Sequence, residues 1–116
     1  IIQALDNVLI NSYESSFFNK SSYLKIQTRF VVGESISIPN IKNSIKKNSL
    51  KISICDNGNG IPTEFIDKIF LPFYSTKKRG SGIGLFLVKR IIDDHEGTIT
   101  LESQEGVTTV QIILPF

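Results

Sequence analysis

At 116 residues and 41% hydrophobic content, the chain is long enough for one independently folded domain. A net charge of +2 is too balanced to point to nucleic acid, and the lack of any run of about 18 apolar residues argues against a membrane-spanning helix or a secretory leader. A single cysteine, Cys55, and a single histidine, His95, exclude an internal disulfide, a cysteine-rich zinc site and a histidine-based metal site, and fit a reducing compartment.

The sequence opens on Ile1-Ile2 inside a helical pattern, with no initiator methionine and no capping residue ahead of it, which reads as the truncated start of a longer chain. From Ile1 to Tyr13, the residues Ile1, Ala4, Leu5, Val8 and Leu9 follow helical spacing, while Gln3, Asn7 and Asn11 fall four apart. Positions four apart lie ~40° apart around a helix, so these amides form a narrow stripe. Two readings are open: a solvated face, or a site where the Asn11 amide oxygen is offered to a hard cation. Solvated helices usually use Lys and Glu rather than Asn, a poorer helix former. Mg²⁺ takes few protein ligands and relies on waters and substrate phosphates, so one asparagine can suffice.

Tyr23 to Val32 alternates as a strand, with Leu24, Ile26, Thr28, Phe30 and Val32 on one face and Lys25, Gln27 and Arg29 on the other. This predicts a sheet covered on one side, ended by Gly33, with Ile36 and Ile38 before Pro39 as a short edge continuation. Asn40 to Ser49, rich in Lys, Asn and Ser, reads as an exposed connection. Leu50 to Asp56 alternates again, with Leu50, Ile52 and Ile54 on one face and Lys51 and Ser53 on the other. The same parity points Asp56 toward the buried side, where an unpaired carboxylate is costly and a partner is required. Asp56-Asn57-Gly58-Asn59-Gly60-Ile61 then turns on two glycines, either as a capped-aspartate turn or as backbone that approaches a ligand closely. The acidic ligands of a calcium-binding EF-hand loop are absent.

Thr63 is the expected N-cap of a short helix carrying Phe65, Ile66 and Ile69 inward. The aromatic segment Ile69-Phe70-Leu71-Pro72-Phe73-Tyr74 anchors a polar loop, Ser75-Thr76-Lys77-Lys78-Arg79, whose cations are either solvated or placed to meet phosphate. Gly80, Gly82 and Gly84 alternate into a helix predicted over Gly82 to His95, with Leu85, Val88, Ile91 and Ile92 on its core stripe. Their spacing matches neither the dinucleotide-binding fingerprint nor a GK[ST] phosphate loop. A hinge and a phosphate cradle at a helix N-terminus both fit. Gly97 is the expected helix stop, and His95 at the helix C-terminus lies in no HExxH motif and is given no catalytic role. Thr98 to Glu102 and Val107 to Leu114 read as strands joined by a hairpin at Ser103-Gln104-Glu105-Gly106.

Together, Asn7-Val8-Leu9-Ile10-Asn11, Asp56-Asn57-Gly58-Asn59-Gly60-Ile61, Ile69 to Lys77 and Gly80-Ser81-Gly82-Ile83-Gly84-Leu85 resemble the four boxes of the sensor histidine kinase catalytic domain, in order and over nearly the whole chain. DNA gyrase, the heat-shock chaperone and the mismatch-repair ATPases share the asparagine and aspartate-glycine elements but not the phenylalanine-proline segment. The resemblance implies an α/β two-layer sandwich of the Bergerat type, with helices covering one face of a mixed, mostly antiparallel sheet. On it, residues 1–116 form one ATP-binding catalytic domain. It implies ATP and Mg²⁺ as ligands, Asn11 as the Mg²⁺ ligand with Asn7 one turn earlier near the phosphates, and Asp56 as the acceptor of the adenine amino group. Gly58, Gly60 and Ile61 would shape the adenine pocket, and Thr108 resembles the threonine that supports adenine through a water. Phe73, Lys77, Arg79, Gly80, Gly82, Gly84 and Leu85 would belong to the lid and phosphate site.

The implied activity is transfer of the γ-phosphoryl group to a histidine on a separate dimerisation domain of the same polypeptide, then to a response regulator, in the cytoplasmic part of a membrane-associated sensor. The full protein would be a homodimer and the fragment alone a monomer. Two departures stand out: Val107 intervenes between Gly106 and Thr108, and Glu14 stands three positions after Asn11, where the family often has lysine. They keep open a nucleotide-binding regulatory module without transfer chemistry, while another ATPase or serine kinase of the same superfamily is disfavoured by the phenylalanine-proline segment.

Overall fold

Alternation of apolar residues along three strands and 3.6-residue spacing along two helices meet at a single core. The computed structural model describes residues 1–16, 22–36, 45–72 and 84–115. Its elements are α1 (Ile2–Ser16), β1 (Leu24–Ile36), β2 (Ile45–Asp56), α2 (Thr63–Ile66), α3 (Gly84–Asp94), β3 (Thr98–Gln104) and β4 (Val107–Pro115). The strands form one sheet in the order β1-β2-β4-β3, and every pairing among the described residues is antiparallel.

Register explains the core. Ile52, Ile112 and Ile99 stand side by side across β2, β4 and β3, and Ile54, Val110 and Leu101 form the next tier on the same face. All six are buried, together with Ala4 and Val8 of α1, Val88 and Ile92 of α3, and Ile69. Burying side chains of this size stabilises the fold by about 1.5–3 kcal/mol each. α1 packs on α3 and β2, and α3 on β3, so the helical layer stands over this face. The stripe expected on α3 is the one observed, with Leu85 and Ile91 partly buried beside Val88 and Ile92.

Several expectations are corrected. Gly33 does not end β1: with φ of +66° it sits at a register shift between Val31 and Glu34, its N–H donates to Asn48 Oδ1 at 3.1 Å, and pairing resumes to Ile36. A bulge of this kind uses glycine's access to positive φ without breaking the ladder. Ile38, Pro39 and residues 40–44 lie outside the described residues. Residues 45–49, expected in an exposed connection, belong to β2, where Ser49 is fully buried between Val31 and Pro115 with no hydrogen-bond partner for its hydroxyl among the described residues. Thr63 is the first helical residue rather than the cap. Pro62 precedes it without a side-chain cap bond, and the Pro62 carbonyl accepts the Phe65 N–H at 2.9 Å.

The apolar face of β1 is the largest departure. Leu24, Ile26, Phe30 and Val32 are between 42% and 73% exposed, although Leu24, Ile26 and Phe30 pair with Asp56, Ile54 and Leu50 on the helix-covered side. The helices stand over β2, β4 and β3, so strand parity chooses the correct face while the edge position leaves it open. At the far edge, Gln104 pairs with Val107 around a two-residue turn in which Glu105 and Gly106 have φ of 52° and 78°. Positive φ at both positions is the geometry whose twist matches a tight hairpin.

Candidate functional site

The two apolar tiers of the sheet are followed by a third that is polar. Asp56 at the end of β2 pairs with Thr108 of β4, which pairs with Ser103 of β3. Asp56 is 2% exposed and Thr108 6%, so a carboxylate and a hydroxyl lie buried side by side where the same face changes from isoleucine and leucine to hydrogen-bonding groups. Thr108 Oγ1 lies 3.2 Å from Ser103 Oγ.

The loop after β2 closes over this row. Asp56 Oδ1 accepts the Gly58 N–H at 3.0 Å, and Ser103 Oγ accepts the Ile61 N–H at 2.9 Å. Gly60 has φ of +71°, and a Cβ added there would stand 3.3 Å from Ser103 Oγ. Backbone therefore lies close against the end of the sheet, in a conformation that suits glycine. At its outer side the Tyr23 N–H donates to Asn57 Oδ1 at 2.7 Å, tying the start of β1 to the same loop. The capped turn is thus present, and it engages one oxygen of Asp56.

The amide stripe of α1 behaves as its drift around the helix requires. Gln3 is exposed, whereas Asn7 and Asn11 are half-buried at the margin of the face that carries Ala4, Val8 and the buried Ser12. Among the described residues no cluster of three or more His, Cys, Asp or Glu could hold a metal ion by itself. A cation at Asn11 would therefore take most of its ligands from water and phosphate. Gly84 is the first residue of α3, with no positive φ and, among the described residues, nothing within 4 Å of an added Cβ, and Leu85 follows half-buried. Phe73, Lys77, Arg79, Gly80 and Gly82 lie outside the described residues.

Ser103 is the residue that sequence reading places in the hairpin and the structure places in the site. A signal existed: 99, 101 and 103 share one parity, so extending the strand by two residues turns a serine inward beside two core positions. His95 has no part in this row. It is exposed, and its Nδ1 donates to the Ile91 carbonyl at 2.7 Å at the end of α3. A groove of about 770 Å³ lined by Ile66, Phe70, Phe86 and Leu101 shares no residue with the polar tier.

The family profile described as histidine kinase-, DNA gyrase B- and HSP90-like ATPase matches residues 1–116. The chain belongs to this ATPase family. Within the family it is similar to sensor kinases: it is 33% identical over 117 residues to the sensory histidine kinase/phosphatase NtrB of Rhizobium leguminosarum bv. phaseoli, covering 99% of this chain and 30% of that protein. It is 47% identical over 57 residues to the sensor histidine kinase ZraS of Escherichia coli K12, covering 49% of this chain and 12% of that protein. Among solved structures, the catalytic domain of histidine kinase ThkA in a nucleotide-free form superposes with a TM-score of 0.74 at 28% identity, over 97% of this chain and 64% of that one. The chain thus has the fold of a histidine kinase ATPase domain, and it spans less than a third of the length of the NtrB relatives it matches.

Proposed function

We propose that this histidine kinase-type ATPase domain binds Mg²⁺·ATP and delivers the γ-phosphoryl group to a histidine on a separate dimerisation domain, for relay to a response regulator. The observation that carries the reading is the buried polar tier. Asp56 offers a carboxylate oxygen to an exocyclic amino group, and Thr108 offers a hydroxyl beside it. The Gly58 to Ile61 backbone, held by Asp56 and Ser103, shapes the edge of an adenine pocket. Asn11 would hold the cation, with Asn7 one turn earlier near the phosphates, and the first N–H groups of α3 at Gly84 and Leu85 are suited to phosphate oxygens. Phosphoryl transfer through a loose transition state asks mainly for positioning and charge neutralisation, which such groups supply. The accepting imidazole nitrogen, lying outside this chain, is its own nucleophile.

Asp56→Asn tests the placement of adenine. Asparagine keeps the oxygen that accepts the Gly58 N–H, so the turn is retained while the charge is lost. Loss of a hydrogen bond to a charged group is worth about 1.5–3 kcal/mol, so ATP affinity should fall roughly 10- to 150-fold by titration calorimetry. Unchanged affinity would refute the assignment. Glu14 on α1, standing where the family often carries a lysine, supports a second reading in which nucleotide is bound without transfer. The two part on whether acid-labile phosphohistidine forms.

A further inference from the structure

We propose that Ser103 is a positioning residue that sets the hydrogen-bond polarity of Thr108, and through it the preference of the site for a 6-amino over a 6-oxo purine. The inference rests on the nucleotide-binding reading of the polar tier and concerns a residue that reading does not itself assign.

The argument is one of counting hydrogens. A serine hydroxyl has one hydrogen to donate and two lone pairs to accept. One lone pair of Ser103 Oγ is taken by the Ile61 N–H at 2.9 Å. Among the described residues, the other polar atom against it is Thr108 Oγ1 at 3.2 Å. If Thr108 donated to Ser103, the Ser103 hydrogen would be left with no acceptor among the described residues in a half-buried position, which is costly. With Ser103 donating to Thr108, both serine functions are satisfied, and the bond accepted from Ile61 strengthens Ser103 as a donor. Thr108 then keeps its own hydrogen for the site.

That polarity has a chemical consequence. Asp56 accepts and Thr108 donates, side by side in the same register. A 6-amino purine presents the complement, an amino donor beside the unprotonated ring nitrogen N1. A 6-oxo purine presents the reverse, a carbonyl acceptor beside an N1–H donor. The logic survives a bridging water: one that gives its two hydrogens to Asp56 and N1 has to accept from Thr108. Removing the Ser103 hydroxyl frees Thr108 to rotate and accept, which should relax discrimination in addition to loosening the loop at Ile61.

The test compares ATP and ITP binding by calorimetry in the full chain and in Ser103→Ala, Ser103→Thr and Asp56→Asn. Ser103→Ala should weaken ATP about 2- to 10-fold, the worth of one neutral hydrogen bond, while ITP is unchanged or improved, so that the ATP-to-ITP ratio falls. Ser103→Thr keeps the hydroxyl and should restore the ratio even where crowding near Gly60 lowers both affinities. A purely structural role weakens both nucleotides in parallel, and an unchanged ratio in Ser103→Ala overturns the proposal. If the unmodified chain prefers ATP and Asp56→Asn loses it while the ratio ignores Ser103, this proposal fails and the site assignment stands. If neither the chain nor its variants bind ATP, both fall together.

Discussion

Glu96 holds a conformation that most side chains avoid. Its φ is 58°, its N–H donates to the Asp93 carbonyl at 2.9 Å, and the Gly97 N–H donates to the Ile92 carbonyl at 2.9 Å. These two bonds are the Schellman closure of α3, with glutamate in the left-handed position usually given to glycine. The adjacent Gly97 answers to a different constraint, because a Cβ there would meet the Ile113 carbonyl oxygen at 2.7 Å and the Ile92 and Leu114 side chains at 3.0 Å. Glu96→Gly should therefore stabilise the chain by about 0.5–1 kcal/mol, less the small worth of the exposed 3.4 Å pair with Lys47. Gly97→Ala should destabilise it by about 1–3 kcal/mol, because backbone cannot yield as a flexible side chain can. Urea unfolding of the two variants decides the matter, and opposite results would exchange the roles of the two residues. A glycine after a helical pattern was legible in the sequence as a helix end. Which of two neighbours carries the unusual backbone was not, because close packing against β4 is a tertiary fact.

At the scale of elements, strand parity carried most of the information and pairing carried the rest. Alternation in Leu50 to Asp56 by itself turns the aspartate inward, and the polar tier is where that direction leads. Parity does not say how far a neighbouring layer extends, so it could not show that β1 lies at an edge. Nor could it join Ser103 to Ile61, which are 42 residues apart. Ile26 and Ile54 make the distinction measurable, being directly paired and on the same face yet 52% and 1% exposed. Ile54→Ala should cost about 2–5 kcal/mol by leaving a cavity between sheet and helices. Ile26→Ala should cost less than about 1 kcal/mol, the range of strand propensity on an open surface. Equal losses in denaturant unfolding would mean that the apolar face of β1 is covered in solution.

For the whole molecule, the position of its single histidine bears on where phosphate can go. His95 follows the last turn of α3, whereas the proposed phosphate site lies at the first, and an eleven-residue helix separates its ends by about 15 Å at 1.5 Å per residue. The His95 Nδ1 is also committed to the Ile91 carbonyl, which leaves the ring serving the helix terminus. On the proposed reading the phosphate acceptor therefore belongs to a separate dimerisation domain rather than to His95. Incubated alone with γ-labelled ATP, the chain should take up no label. With a cognate helical dimerisation domain added, acid-labile phosphohistidine should form on that domain. Asp56→Asn should reduce this transfer in step with its loss of ATP affinity, and His95→Gln should leave it unchanged. Label on His95 itself would contradict the geometry of α3. Tight ATP binding with no phosphohistidine on the partner would favour the regulatory reading and point to Glu14, which puts a negative charge on α1 one turn from Asn11.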